Sequence, residues 1–445
     1  MTTRVEVAPA DAAEQAQLGA QIHALMTRLF PICRSLTGDG VRETLDILRE
    51  QVPLEIRTVR TGTPVLDWTV PKVWNIRDAW IKDSAGRKIV DFAASNLHVV
   101  SYSTPVRTVL SLDELKARLH SMPDRPDWIP YLTSYYRESW GFCVAHRLVE
   151  SLMPGDYEVC IDATLEDGDL VWGEYVLPGT SDEEVLLSTY LCHPSLANDN
   201  LSGVALLASL AARMRGRVTK FTYRFLFIPE TIGAIAWLAM NRANLSRIRH
   251  GLVATCVGDP GPLTYKRSRS SAPIDRVAEL VLRDRHRPFR CVDFFPWGSD
   301  ERQFSSPGFD LPIGSLMRTP YAEFPEYHTS ADNLSFVTPA ALGEACAAYA
   351  DIVDVLEADE TYVNLSPLGE PQLGRRGLYQ HLGGARDQAA AKLAMFWVLN
   401  LSDGRHSLTE ISQRSGLAFR VVRDAADALI AADLLAVSPS TQPHI

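Results

Sequence analysis

The sequence lacks the patterns by which cysteine announces a site. Its 7 Cys are Cys33, Cys143, Cys160, Cys192, Cys256, Cys291 and Cys346. The count is odd and no two form a C-x-x-C pair. That indicates neither a disulfide framework nor a cysteine zinc site, and it fits a reducing cytoplasm. No apolar run approaches the ~20 residues that span a membrane. The opening residues, Met1 to Val7, have no apolar stretch, so no signal peptide is expected. Internal repeats and low-complexity tracts are missing too. So is an excess of positive charge: 54 acidic against 44 basic side chains leave a net charge of -10. A general affinity for nucleic acid or anionic membrane is therefore not expected. What is there is globular in composition, 46% hydrophobic and 22% charged, over 445 residues. That length predicts two or three domains.

Residues 1–56 read as two helices, Ala12 to Leu29 and Val41 to Glu50, broken at Gly38-Asp39-Gly40. From 57 to 166 the texture changes to short β-prone pieces cut by Pro and Gly, with Trp68, Trp74, Trp80, Trp128 and Trp140 concentrated there. This predicts an inserted β-rich domain. Tyr157 to Pro178 reads as two strands around Asp167-Gly168, a hairpin signal. From 167 to 377 strands and helices alternate. Val185–Leu191, Phe221–Ile228, Gly251–Val257 and Leu311–Leu316 are strands; Leu201–Arg215, Ile232–Asn241, Asp275–Arg283 and Pro339–Leu356 are helices. Such alternation predicts an α/β domain with a doubly wound, mostly parallel sheet. From 378 to 445 the order is helix Ala385–Asn400, a capping box at Ser407 and Glu410, a helix to Gln413, a turn at Gly416, helix Phe419–Ala432 and a wing strand Leu434–Val437. That order is a winged helix.

The chemistry gathers at strand ends. Leu191 to Gly203 follows a buried strand and opens a helix, with His193 and, six residues later, Asp199. The carboxyl edge of an open α/β sheet is where ligands collect, and imidazole with carboxylate suits a catalytic zinc. A capped helix beside a surface His would give the same pattern. Glu230 follows the next strand, where it is either a general base or a helix-opening acid. Asp259 follows the third strand. The loops Gly298 to Arg302 and Glu326 to Asp332, which contains His328, bracket the fourth. Their coincidence at one sheet edge favours a site over four unrelated loops. His98 has no partner at ligand spacing and reads as a strand residue.

His193, the Asn198-Asp199-Asn200 triplet with Ser202-Gly203, Glu230, and Tyr327-His328-Thr329 with Asp332 resemble the zinc aminopeptidases of the M28 type, in that family's order. Longer motifs resemble the DUF4910 group: Ser35 to Gly40, Cys192 to Ser195, Pro229 to Gly233, Pro296 to Arg302 and Glu326 to Ser330. That group has an aminopeptidase-like core, an inserted DUF2172 β-domain and a winged-helix tail. The resemblance implies that His193, Asp199 and His328 bind zinc and that Glu230 is the base. It departs from the two-zinc pattern at Thr231, where a second acidic ligand is usual, and at Cys256 or Val257, where an Asp is usual. One zinc per chain is therefore implied. Asp332 and Glu301 are candidates to hold a ligand imidazole.

The expected activity is zinc-dependent amide hydrolysis of an aminopeptidase-like kind on a peptide or small amide. The rivals are an N-deacylase of a small metabolite or amino sugar, and a ligand sensor with winged-helix output. Asp259, Asp300, Glu301 and Glu323 are candidate anchors for a substrate amine. Arg318, Lys266 and Arg269 are candidate anchors for an acidic or acylated one. The tail carries six basic and six acidic side chains between Leu378 and Ile445, so DNA is not the expected partner. Packing against another subunit or the catalytic domain is, with a homo-oligomer through the insertion or the tail.

Overall fold

A computed structural model describes residues 12–378 and 385–438. The stretch Met1 to Val7, read above for a signal, lies outside them. Among the described residues no helix is long and apolar enough to cross a membrane. The chain forms two compact units. Of the described residues, the larger takes those through Ser271 together with Arg290–Ala347; the smaller takes Ala272–Phe289 and those from Ala348 onward.

The larger unit is built on an eight-stranded sheet. Its order is Glu55–Arg60, Asp169–Leu177, Thr222–Ile228, Glu184–Tyr190, Ile248–Ala254, Ile313–Met317, Leu263–Lys266 and Phe289–Val292. Glu184–Tyr190 is buried along its whole length and pairs in parallel with both neighbours. Ile313–Met317 continues the parallel run. Strands covered on both faces read as continuous apolar stretches, which is why the alternation was legible. On the flanks, Asp169–Leu177 pairs antiparallel with Glu55–Arg60 and with Thr222–Ile228, and Leu263–Lys266 pairs antiparallel with Ile313–Met317. The parallel strands bring their carboxyl ends to one edge. The helix Ala12–Leu29 joins this unit through glycine: a Cβ on Gly19 would lie 1.8 Å from the Pro339 carbonyl oxygen.

The β-rich segment forms its own four-stranded antiparallel sheet, ordered Lys88–Asp91, Val73–Lys82, Asp156–Glu166 and Val106–Ser111. The expected hairpin at Asp167-Gly168 does not form. Asp156–Glu166 pairs with Val73–Lys82 and Val106–Ser111, whereas Asp169–Leu177 pairs in the main sheet. The turn instead hands the chain from one sheet to the other. Gly168 suits that crossing, since a Cβ there would meet the Val73 side chain at 2.5 Å. Glu55–Arg60 crosses the boundary read at residue 57 and belongs to the main sheet.

The smaller unit holds helices Ala385–Leu401, Leu408–Ser415 and Phe419–Ala431 and a sheet ordered Asp403–Ser407, Thr361–Asn364, Leu435–Val437. Ser407 and Glu410 form the reciprocal cap, and Gly416 closes the second helix with φ 70°. Thr361–Asn364, short and N-terminal to the boundary read at 377, was missed as a strand. Helix Pro273–Asp284 belongs to this unit. Its Asp284 accepts the Phe419 N–H at 2.8 Å, and its Arg283 donates to the Leu417 carbonyl at 2.9 Å.

Candidate metal centre

His193, Asp199, Glu230 and His328 come together at the carboxyl edge. His193 Nε2 lies 3.9 Å from Asp199 Oδ2 and 3.9 Å from Glu230 Oε2. His328 Nε2 lies 2.9 Å from the same Asp199 oxygen. That distance suits a hydrogen bond, but its angles do not: both atoms are buried and lack a hydrogen-bond partner. Donors at 2.0–2.1 Å from a tetrahedral ion sit about 3.3 Å apart, within the observed spread. Two buried acceptor atoms aimed at one point, with a third nearby, fit a cation better than they fit each other. Among the described residues two groups could hold a metal, His193/Asp199/His328 and Cys192/His193/Glu230. They share His193 and so mark one place.

The segment around Asp199 is fixed from every side. Tyr190 donates its hydroxyl to Asp199 Oδ1. The Asp332 carboxylate accepts the N–H groups of Asn198 and Asp199 at 2.6 and 2.9 Å. Asn198 accepts from Gly258 N at 2.8 Å and donates to Asp259. Asn200 donates to Thr189 Oγ1 at 2.9 Å and accepts from Cys256 N at 3.2 Å. The two Asn residues thus tie the Asp199 turn to the ends of neighbouring strands. Buried Arg34 donates to the carbonyls of His193 and Pro194, each at 2.9 Å, and of Leu29 at 2.7 Å. Burial pulls the His193 pKa down to about 4 against the pull of Asp199. The imidazole is then neutral and able to bind a cation. Burial opposes the Asp199 charge, but His193, His328 and Tyr190 bring its pKa down to about 2.

Glu230 opens onto the same point and is partly exposed. Burial, then the charges of Asp300 and Asp199, raise its pKa well above the carboxylate range. Asp300 is itself raised to about 7, chiefly by burial. Its Oδ1 accepts Thr231 N at 2.7 Å while its Oδ2 is buried without a partner. Thr231, at φ 62° and ψ -76°, centres a tight turn in which Ile232 N donates to Glu230 O at 2.7 Å. A β-branched residue there is strained.

The inserted sheet's segment reaches this point. Tyr131 N donates to the His328 carbonyl at 2.8 Å, and Pro130 bridges Thr329. The buried Tyr131 ring stands 5.3 Å from His193 and 5.2 Å from His328. Tyr327 stacks on His328 at 4.0 Å. A cleft of about 580 Å³ adjoins them, lined by His120, Met122, Leu132 and Thr329 among others.

Several expectations are corrected. Asp332 holds backbone N–H groups, and Glu301 pairs with buried Lys266 at 2.7 Å, so the contacts of both carboxylates lie with groups other than an imidazole. Asp259 is engaged by Asn198, Gly261 and Thr319, and Glu323 by Arg290. Arg318 binds Gly261 O and Glu344. His98 donates from Nδ1 to the Cys143 carbonyl, 2.8 Å away. Arg34, Tyr131 and Arg302 were not singled out; each acts through partners distant in sequence.

The fold is that of the zinc aminopeptidases joined to a winged helix. The chain belongs to the DUF4910 family: residues 23–359 match its model, described as a domain of unknown function, and 360–437 match a winged helix-turn-helix model. A Clostridium acetobutylicum protein named "Putative polysaccharide biosynthesis protein with aminopeptidase-like domain" is 53% identical over 420 residues, covering 94% of this chain and 96% of that one. The crystal structure of a "putative peptidase" from Clostridium acetobutylicum is 51% identical with a TM-score of 0.91, covering 96% and 98%. BSAP, a zinc aminopeptidase from Bacillus subtilis, shares the fold at a TM-score of 0.55 and 12% identity, covering 75% of this chain and 94% of that one.

Proposed function

We propose that this chain is a zinc-dependent amide hydrolase, with His193, Asp199 and His328 holding one zinc and Glu230 as general base. The observation that carries the reading is the buried, unbonded pair of Asp199 Oδ2 and His328 Nε2, with His193 Nε2 beside them. Zinc, when bound, supplies a Lewis acid for the amide carbonyl and for water. The chain supplies the rest. His193, Asp199 and His328 hold the donor set; Arg34, Asn198 and Asp332 keep it in place. Glu230, its proton affinity raised by burial and then by Asp300, takes a proton from the attacking water at Oε2 and passes it to the leaving nitrogen. Tyr131 and Tyr327 wall the site against bulk water. A single ion follows from Thr231, which offers no anionic donor, and from Asp259, whose oxygens are engaged. Glu230→Gln is expected to keep about one zinc per chain and lose about 10²–10⁴ in turnover. Elemental analysis beside a screen of peptide and N-acyl substrates tests both; two tightly held zincs or wild-type turnover would overturn the reading.

The name of the Clostridium acetobutylicum relative favours a second reading, an N-deacylase acting on an amino sugar or related metabolite. For the tail we propose packing rather than nucleic-acid binding. The amino end of helix Phe419–Ala431, the end that enters the major groove in such modules, is already met by Asp284 and Arg283. Arg420 and Arg423 lie against Asp424. Anisotropy titration of the whole protein with duplex DNA at low salt is expected to show no sub-micromolar binding.

A further inference from the structure

Most cations near this edge are engaged. Lys266, fully buried, binds Glu301 and the Trp297 carbonyl, each at 2.7 Å, and lies 3.8 Å over the Phe295 ring. Arg318 and Arg34 are held by carbonyls and a carboxylate as described. Arg269 pairs with Asp310 at 2.9 Å. Arg302 differs. Among the described residues its guanidinium makes one hydrogen bond, from Nη2 to Thr231 Oγ1 at 3.3 Å, and no ion pair. Its Nε is buried without a partner. The bond to Thr231 sets the guanidinium beside the residue that follows Glu230, and its charge bears on Glu230, Asp300 and Tyr327.

We propose that Arg302, with Thr231, forms a carboxylate-binding subsite beside Glu230, and that the amide cleaved here carries a carboxylate rather than a free ammonium. The proposal rests on the hydrolase reading for its word "cleaved" and on Arg302 for the rest. A guanidinium presents parallel N–H donors that match a carboxylate's two oxygens. A half-buried one with most donors unmet gains from such a ligand. Thr231 stands where the resemblance expects an acidic side chain, so this corner offers a hydroxyl and a cation in place of an anion. An ammonium would meet the guanidinium as a like charge. Asp259, Glu301 and Glu323, which could have drawn it, are engaged elsewhere, and Asp300, the fourth candidate, is buried, holds Thr231 N with one oxygen and resists ionisation through that burial. A dianionic phosphate fits less well than a carboxylate, because Glu230 and Asp300 already bring negative charge.

The test uses N-acetylglycine and its neutral counterpart N-acetylglycinamide as probes, titrated calorimetrically into the full-length protein stripped of metal by chelation. The wild type is expected to prefer N-acetylglycine by about 10-fold, the scale of a hydrogen bond to a charged group. Arg302→Met is expected to abolish the preference and Arg302→Lys to keep part of it. The Lys variant serves if the Met variant fails to fold. Equal affinity for the two probes, no binding of either, or a preference surviving in Arg302→Met would overturn the proposal. Failure of the hydrolase reading looks different: Glu230→Gln would retain turnover while the probe preference stood.

Discussion

The two rims of the site are built on opposite principles. On the rim after strand Glu184–Tyr190, nearly every polar group near the candidate ligands is matched. Asn198, Asn200, Asp332, Tyr190 and Arg34 tie His193 and Asp199 down, and the unmatched Asp199 Oδ2 points at the candidate ion. On the rim after strand Thr222–Ile228, Asp300 Oδ2 and Arg302 Nε are buried and unmatched, and Thr231 is strained. The first rim has the properties of a rigid cradle. The second has those of a place where protons and ligands are exchanged, since unmet polar groups and strain concentrate at working sites.

If the first rim is a cradle, breaking it should cost stability and metal together. Arg34→Met leaves the buried His193 carbonyl without a donor and leaves the Pro194 and Leu29 carbonyls with only their backbone donors, Leu196 N and Ile32 N, at a cost of about 1–3 kcal/mol. Zinc affinity should fall about 10–100-fold, as for other groups that orient ligands from behind. Urea unfolding and competitive zinc titration check the pair. Loss of stability with unchanged zinc affinity would separate the cradle from the metal. Gly203→Ala is the milder break: a Cβ there would meet the Ala254 carbonyl oxygen at 2.4 Å and Asn200 Oδ1 at 2.5 Å. Overpacking of this kind costs about 1–3 kcal/mol.

Sequence reading reached the two rims unequally. Strand ends carry short local signals, so His193, Asp199, Glu230 and His328 were legible together once the alternation of elements put them on one edge. Arg34 was not, because its partners His193 and Pro194 lie more than a hundred residues away and no periodicity links them. Tyr131 was hidden for the same reason. Asp332 and Glu301 read as candidates to hold a ligand imidazole, but a carboxylate next to backbone N–H groups or a buried Lys266 is taken by them first. The hairpin expected at Gly168 failed because both flanking strands have other partners. A turn signal fixes where the chain bends, not which sheet each arm joins.

On the second rim the expected effects are smaller and act on chemistry. Asp300→Asn removes a carboxylate whose charge, when ionised, adds to burial in raising the Glu230 pKa. That pKa should therefore fall, and the acidic limb of the kcat/KM profile should move to lower pH. A limb that stays in place, or moves upward, would take Asp300 out of the account.

Thr231→Gly is expected to have the smallest effect on stability and the opposite sign from Gly203→Ala. Glycine adopts φ 62° without a Cβ clash, which relieves about 1–3 kcal/mol of strain. It costs roughly 0.5–1 kcal/mol of chain entropy, and Arg302 loses the Thr231 hydroxyl as its acceptor. The variant should be about as stable as the parent or up to about 1 kcal/mol more stable. Turnover should nevertheless drop, because the strained turn holds Glu230 between Asp300 and the candidate metal. Denaturant midpoints beside kcat measure the two effects separately. A variant that loses stability without losing turnover would mean that the strain at Thr231 belongs to the fold and not to the site.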